Sequence, residues 1–295
     1  MNRKANSITI TYLTKVSLAS LNGGDSDADN INAIKKVTLP NGDQLPYMSS
    51  QAIRHGLRDK FEEFGEVLSP VSMGEDKKGT AKGSLEPEKY IDDDLMGFMY
   101  AVSGGTKTRT SPVRVDALVA QSKYQDDLDF GTNFRKKEAE EGGNANIFET
   151  EIHSGVYRGT IMIELDRVGK GQGFDKEISN EEKKRRVLTF IDSFRMLWSN
   201  GRQTRFLSDI SPKFIAAALM TSKTPVFLES VSVDAKTQTK VDMQHLNGVV
   251  KDYQKYIQSH TFAVQDSIFE KQEGMIGLGD GFAEIESWVE SYYKD

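Results

Sequence analysis

A short stretch early in the chain combines residue types that suit the binding of an anion. Ser49 and Ser50 carry hydroxyls that can cap a helix beginning near Gln51. Arg54 and Arg58 follow four positions apart, which places both guanidinium groups on one helix face. Free amides and the positive end of the helix dipole attract phosphate. The pattern therefore predicts a phosphate site, and the alternative is an amphipathic helix whose arginines are only hydrated.

The same helix must bury its neighbouring face. Four apolar residues recur at helical spacing: Ile53, Leu57, Phe61 and Phe64. This stripe predicts a helix that packs on a core and turns the two arginines away from it. We therefore expect replacement of both arginines by alanine to leave folding nearly unchanged.

Basic residues are unevenly spread along an acidic chain. The formal net charge is −6, whereas binding to nucleic acid relies on Lys and Arg that displace the counterions of phosphates. Two basic islands lie at residues 35–60 and 103–115. The second contains no acid and three cations: Lys107, Arg109 and Arg114. The islands predict a basic groove within an acidic surface, although a chance distribution of 38 basic residues would also produce islands.

Composition excludes several classes of protein. The 295 residues include no cysteine, which excludes disulfides, thiolate metal sites and a cysteine nucleophile. The longest apolar run, Phe214–Met220, is far shorter than the ~20 residues that span a membrane. The beginning of the sequence lacks a signal-peptide pattern, so we expect a cytoplasmic protein.

Residues that could perform catalysis are scattered. The four histidines, at positions 55, 153, 245 and 260, lie outside metal-binding motifs and without a carboxylate at ligand spacing. The histidine at position 153 falls in a predicted strand, where a structural role is expected. Asp25, Asp27 and Asp29 resemble the start of a calcium loop but lack its central glycine and closing glutamate. We therefore predict no catalytic residue, metal or cofactor.

Periodicity predicts the elements that position these residues. Strands are predicted at residues 7–20, 112–120, 152–168, 225–233 and 261–265, and further helices at 88–100, 181–198, 211–220, 241–259 and 282–293. Three consecutive acids, Asp92, Asp93 and Asp94, point about 100° apart on a helix and are predicted to be surface charges. The basic run at 183–186 is predicted to be solvated. Strands and helices mix without a βαβα repeat, which predicts an α+β fold.

Two segments lack sustained periodicity. Residues 69–85 are rich in Gly, Ser and Lys and are predicted to be a mobile surface loop. Residues 121–151 scatter aromatic side chains, including Phe130, among charges. We expect this segment to protrude with its rings ready for a partner outside the domain. The alternative is a loop whose rings fold back on the core.

Ordered blocks of the sequence resemble the DevR-type branch of the Cas seven family, the guide-RNA-binding backbone subunits of type I Cascade complexes. The blocks are residues 21–25, 33–36, 49–54, 94–99, 109–112 and 154–158. They occur in the family's order and lie within residues 7–235, which is most of the chain.

This resemblance implies a modified ferredoxin-like, RRM-type palm over residues 1–295, with a flexible or helical insertion at 66–105 and a thumb hairpin at 121–151. It implies a non-catalytic subunit that polymerises along a CRISPR RNA and presents it to the target DNA strand. The expected partners are that RNA, the target strand, further copies of the chain and other Cascade subunits. The residues implied to contact RNA phosphates are Asn22, Lys35, Lys36, Ser49, Ser50, Gln51, Arg54 and Arg58. Met99 and Phe130 are implied to wedge against bases.

Two other functions remain open at this point. RNA-cleaving relatives carry an aspartate where Lys35 stands here, so a metal-dependent ribonuclease using Asp25, Asp27 or Asp29 is disfavoured. The historical name DevR suggests an RNA-free oligomeric scaffold or regulator.

Overall fold

The computed structural model describes residues 4–24, 31–73, 81–102, 105–133, 146–199 and 205–294. The strands are β1 Ser7–Ala19, β2 Ile31–Asn32, β3 Lys36–Thr38, β4 Gln44–Met48, β5 Ser72–Met73, β6 Ala81–Lys82, β7 Phe98–Val102, β8 Gly105–Arg109, β9 Val113–Val115, β10 Leu118–Ala120, β11 Leu128–Asn133, β12 Asn146–Glu151, β13 His153–Glu164, β14 Phe214–Met220, β15 Ile257–Val264 and β16 Ile276–Gly277. The helices are α1 Ser50–Glu63, α2 Ile91–Met96, α3 Asn180–Arg195, α4 Met243–Asp252 and α5 Leu278–Tyr292.

One nine-stranded sheet organises the molecule. Its order is β16-β15-β14-β1-β13-β10-β4-β3, and β9 pairs with β13 beside this path. The middle strands β14, β1, β13 and β10 are antiparallel to their neighbours. Helix α1 lies in the connection from β1 to β10, and α3 lies in the connection from β13 to β14. The first of these connections also contains the short helix α2.

Both faces of this sheet are covered. On one face, α1, α3 and α5 pack against alternate residues of β1, which are Ile8, Ile10 and Tyr12. On the other face, the region around α4 covers Leu13 and alternate residues of β14. A side chain of this size contributes about 1.5–3 kcal/mol on full burial, so these two cores are the main source of stability.

Three smaller sheets stand beside the large one. Strands β7 and β8 form a hairpin, β5 and β6 form another, and β11 pairs with β12. The β11–β12 hairpin is extended by β2, which runs parallel to β12. The predicted thumb segment thus contains a hairpin, and the predicted loop at 69–85 contains β5–β6 in its described part.

The predictions made from long periodic segments are confirmed. Strands β1 and β13 and helices α1, α3 and α5 lie within a few residues of their predicted bounds. In α1, Ile53, Leu57 and Phe61 are fully buried. Phe64 is wrong as a core residue, since it ends the helix and is 45% exposed.

Three predictions in the second half of the chain need correction. Residues 211–220 were expected to form a helix, but Phe214–Met220 is strand β14, which lies between β15 and β1 and is buried along its whole length. A continuous apolar run has no periodicity that separates a buried strand from a buried helix. The strand predicted at 225–233 is a succession of turns, and the helix predicted at 241–259 ends at Asp252, before β15.

The helix predicted at 88–100 is also shorter than expected. Helix α2 covers only Ile91–Met96, and Gly97 follows with a φ of 66°. A Cβ at this position would lie 2.3 Å from the carbonyl oxygen of Arg109. The close approach requires glycine, and the chain then turns into the β7–β8 hairpin.

None of the helices in the described ranges has the length and apolar character needed to cross a membrane.

Candidate nucleic-acid interface

Asn22 joins three segments that are distant in the sequence. Its carbonyl oxygen accepts a hydrogen bond from the Lys35 amide at 2.9 Å. Its side-chain Oδ1 accepts one from the Ser49 amide at 3.0 Å. We call the surface formed by Asn22, Lys35, Ser49, Ser50 and Gln51 the Asn22 corner. It brings together three of the sequence blocks that suggested the family.

The start of α1 completes this corner. Ser49 is the N-cap, as predicted, and its Oγ accepts a hydrogen bond from the Ala52 amide at 3.4 Å. The first intrahelical bond runs from the Ile53 amide to the Ser49 carbonyl at 3.1 Å. The amides of Ser50 and Gln51 precede that bond and have no intrahelical acceptor. They are two donors suited to an anion at the positive end of the helix.

Lys35 adds a positive charge to the Asn22 corner. It is half-buried, and its carbonyl accepts the Tyr47 amide at 2.9 Å, which fixes its backbone. Among the described residues, no carboxylate lies within ion-pair distance of its ammonium group. The neighbouring Lys36 differs in this respect.

Lys36 is already paired within the protein. Its ammonium lies 2.7 and 2.6 Å from the two carboxylate oxygens of Glu151 and 4.4 Å from the centre of the Tyr124 ring. The side chain is only 16% exposed. Lys36 therefore fastens β3 to the base of the β11–β12 hairpin, and its predicted contact with RNA would compete with this pair.

Arg54 and Arg58 also have protein partners. Arg54 donates to the carbonyl oxygen of Met96 and to the hydroxyl of Ser111 at 3.4 Å, which ties α1 to the end of α2. Burial, and then the charge of Arg58, lower the pKa of Arg54. Arg58 donates to the Arg54 carbonyl at 3.2 Å, and its Nε lies 3.8 Å from the Asp92 carboxylate. The expectation that both arginines are uninvolved in folding is therefore corrected for Arg54.

Arg109 does not fit its predicted place in a basic groove. It is 3% exposed, and it donates to the Asp94 carboxylate and to four backbone carbonyl oxygens at 2.9–3.0 Å. Every guanidinium nitrogen is used inside the protein, so none is free for RNA. The acid-free sequence around it was misleading because its partner comes from a different element.

The remaining predicted residues are exposed. Arg114 is 54% exposed but pairs with Glu164 at 2.6 Å. Met99 and Lys107 lie on the β7–β8 hairpin, and Met99 is 80% exposed. Phe130 lies on β11 and is 61% exposed. Two apolar side chains thus stand in solvent on separate hairpins, as a wedge against bases would require.

Comparison with known proteins identifies the family. The family described as CRISPR-associated negative auto-regulator DevR/Csa2 matches residues 10–241. The chain belongs to the DevR/Csa2 family. It is 23% identical over 235 residues to the CRISPR-associated protein Cas7/Cst2/DevR of Myxococcus xanthus (strain DK1622), across 74% of this chain and 73% of that protein. The family predicted from the ordered sequence blocks is confirmed.

Solved structures share the fold of this DevR/Csa2 chain. One chain of a CRISPR RNA-guided surveillance complex, pre-nicking, gives a TM-score of 0.66 at 13% identity and covers 97% of this chain and 99% of its own length. A chain of another CRISPR RNA-guided surveillance complex gives 0.61 at 14% identity, with 96% and 99% covered. The mixed α+β class expected from the sequence is thereby confirmed.

The DevR/Csa2 chain also contains a buried charged cluster that the sequence analysis missed. Asp94 is fully buried and accepts hydrogen bonds from Arg109, from Arg186 at 2.8 Å and from the Gly169 amide at 3.1 Å. Arg186 is 2% exposed. We call Asp94, Arg109 and Arg186 the Asp94 node. The sequence did single out Asp94, because it is the first residue of the block 94–99 that resembles the family.

The predicted surface position of the three acids on α2 is therefore wrong. Asp92 accepts the Ser69 amide at 3.0 Å, and Asp93 accepts the Glu86 amide at 2.9 Å. Both are buried, like Asp94. The acids do point in different directions, but each direction meets another segment. The basic run on α3 is likewise not wholly solvated, because Lys183 and Arg186 are buried.

The predictions made for the histidines agree with the structure only in part. His55 lies 3.3 Å from Asp59 and His245 lies 3.4 Å from Asp242, so the expectation that no carboxylate stands nearby is wrong for both. The structural role of His153 is supported by a 2.7 Å hydrogen bond between its Nδ1 and the Tyr157 hydroxyl.

Within the described ranges, no three His, Asp or Glu side chains are grouped as metal ligands. Asp25, Asp27 and Asp29 lie outside these ranges.

Proposed function

We propose that this DevR/Csa2 chain is a non-catalytic CRISPR-RNA-binding subunit and forms the backbone of a type I Cascade surveillance complex. The observation that carries the proposal is the Asn22 corner. It gathers three of the sequence blocks that resemble the family around a helix start and a lysine that has no acid partner among the described residues. Backbone amides and a lysine bind phosphates without reading bases, so sequence selectivity would come from pairing between the guide and the target strand.

We propose further that the sheet core is a ferredoxin-like palm spanning residues 1–295, with insertions at 66–105 and 121–151. The strand order β14-β1-β13-β10, with α1 and α3 in the crossovers, supports this proposal because it follows a β-α-β-β-α-β path. An ordinary RRM stacks bases on an open sheet face. Here both faces are covered, which favours RNA contacts at the corner and the hairpins instead.

The hairpins suit a repeating assembly. Phe130 and Met99 expose apolar side chains on different hairpins, and aromatic or apolar groups can stack on bases of any sequence. Repeated copies along one RNA, together with other Cascade subunits, would present the guide to target DNA in the cytoplasm.

The absence of catalysis is part of this proposal. Lys35, where RNA-cleaving relatives carry an aspartate, has its backbone fixed within the corner. An experiment must distinguish this non-catalytic RNA-binding role from two other functions. One is a metal-dependent ribonuclease using Asp25, Asp27 or Asp29, and the other is an RNA-free scaffold or regulator.

The decisive experiment is purification of the chain from its own host, followed by extraction and sequencing of bound nucleic acid. We expect CRISPR RNA in the preparation and loss of the oligomer after nuclease treatment. An RNA-free preparation with the same oligomer would favour the scaffold. Incubation with complementary RNA and magnesium tests the nuclease: cleavage that is lost on replacing Asp25, Asp27 and Asp29 by alanine would overturn the proposal.

A matched pair of variants tests the Asn22 corner directly. Asn22→Asp keeps an oxygen acceptor for the Ser49 amide but adds a negative charge where a phosphate would approach. We expect unchanged thermal stability and weaker RNA binding. Asn22→Ala removes the acceptor and should lower both. Unchanged RNA binding in Asn22→Asp would show that the RNA lies elsewhere.

A further inference from the structure

The β11–β12 hairpin has two faces with different surroundings. Asp129 is paired with Thr150 in the ladder and shares a face with it. Gly131 and Phe148 form the next pair on the same face. Phe130 lies between Asp129 and Gly131 in the sequence and points to the opposite face, where it is 61% exposed. One face therefore presents a ring to solvent, and the other can be attached to the protein.

Arg205 makes this attachment. Its guanidinium pairs with the Asp129 carboxylate and donates to the Thr150 hydroxyl at 3.4 Å. The same group lies 5.1 Å from the centre of the Phe148 ring. A planar guanidinium presents several donors in a fixed fork and can also stack on a ring, so one side chain makes the ion pair, the hydrogen bond and the ring contact together.

The Phe148 ring extends this contact to the opposite strand. A Cβ at Gly131 would lie 2.5 Å from ring atoms of Phe148, so the ring lies directly on the backbone of β11. Arg205 thus contacts β11 through Asp129 and holds the ring that covers it. Both strands of the hairpin are engaged from one side.

Arg205 comes from the connection between α3 and β14. It precedes β14 and is 76 positions from Asp129 in sequence. The hairpin is also held at its base by the pair between Lys36 and Glu151. That contact holds Glu151 at the end of β12, whereas Arg205 contacts the next ladder pair, Asp129 and Thr150, and the Phe148 ring beyond it.

We infer that Arg205 is a positioning residue that orients the β11–β12 hairpin so that Phe130 is presented to RNA. This inference rests on the proposed function, since orientation of Phe130 matters only if bases meet it. Arg205 itself contacts no RNA in this scheme.

The first test needs no RNA. Hydrogen exchange of the hairpin amides is measured on the purified full chain for wild type, Arg205→Ala and Arg205→Lys. Exchange should rise about tenfold in Arg205→Ala, because an exposed ion pair and a cation–π contact together stabilise by roughly that factor. Arg205→Lys should show an intermediate rise. Arg185→Ala, which removes another exposed, ion-paired arginine far from the hairpin, should change nothing there. Unchanged exchange in Arg205→Ala would overturn the inference.

The second test links Arg205 to Phe130 through a double-variant cycle. Affinity for a labelled oligouridine RNA is measured for Arg205→Ala, Phe130→Ala and both together. If Arg205 acts through Phe130, the RNA affinity of the double variant is no lower than that of the single variant with the lower affinity. Effects that simply add overturn the inference and leave the proposed function intact. A wild-type chain that binds no RNA overturns both, while the exchange data still report the attachment.

Discussion

The Asn22 corner and the Asp94 node use similar side chains in opposite surroundings. In the corner, Lys35 has no acid partner among the described residues, and the first two helix amides have no intrahelical acceptor. In the node, Arg109 and Arg186 share the carboxylate of Asp94, and their other nitrogens donate to carbonyl oxygens or a second acid. The first region retains donors for a ligand, whereas the second uses its donors to hold segments together.

The comparison shows that the number of basic residues is a poor guide to a binding surface. Arg109 belongs to an acid-free island, yet it is among the most fully bonded side chains described. Lys35 lies close to Lys36, which has the same charge but is neutralised by Glu151. The elements that converge on a cation decide whether its charge is available.

Replacing Asp94 should have the largest effect on this contrast. Asp94→Asn leaves the buried guanidinium of Arg109 without a counter-charge and that of Arg186 with Glu182 alone, which should cost about 3–5 kcal/mol in the free energy of unfolding. Urea denaturation measures this loss. Glu229→Gln, which removes an exposed partner of Arg158, is the control and should change stability by less than ~0.5 kcal/mol. A stable Asp94→Asn variant would contradict the structural role of the node.

Arg54 lies between the two regions, and its replacement should have an intermediate effect. Arg54→Ala leaves the Met96 carbonyl without its donor and should cost about 1–3 kcal/mol. Urea denaturation and RNA affinity are compared in the same variant. Full stability combined with weakened RNA binding would return Arg54 to the set of phosphate contacts.

Lys35 should affect RNA binding and leave stability almost unchanged. Lys35→Gln should make the dependence of log affinity on log salt shallower by about one phosphate contact. Its free energy of unfolding should stay within ~0.5 kcal/mol of wild type. Lys251→Gln, on an exposed part of α4, is the matched control and should keep the wild-type salt slope. An unchanged slope in Lys35→Gln would remove this lysine from the proposed interface.

Acidic pH should produce the smallest effect, through a buried histidine at the start of β13. His153 pairs with Ala19 at the end of β1, and burial lowers its pKa, opposed by Asp127. The unfolded chain therefore takes up the proton more readily. His153 stabilises the fold fully above the ordinary histidine pKa, and this contribution decreases as pH falls below about 6.5.

Unfolding measured from pH 7.5 to pH 5.5 tests this dependence. His153→Gln should flatten the decline in stability over this range. A decline of equal slope in the variant would assign it to other groups.

Several features could be predicted because they depend on local sequence. Ser49 caps α1 because its own hydroxyl satisfies an amide three residues later, and the stripe from Ile53 to Phe61 follows from helical spacing alone. Alternating β-branched residues similarly define β1 and β13. The family was also identifiable, since its blocks are short runs of adjacent residues.

The remaining features depended on partners far away in the chain. Phe214–Met220 is a strand because β1 and β15 flank it, although its composition suits a buried helix equally well. Asp94 and Arg109 are buried because they meet each other and Arg186. By itself, the sequence determined the elements with a clear period, the cap of α1 and the family. Only the tertiary structure decided which charges are neutralised and which remain for a ligand, because an ion pair forms between groups that folding brings together.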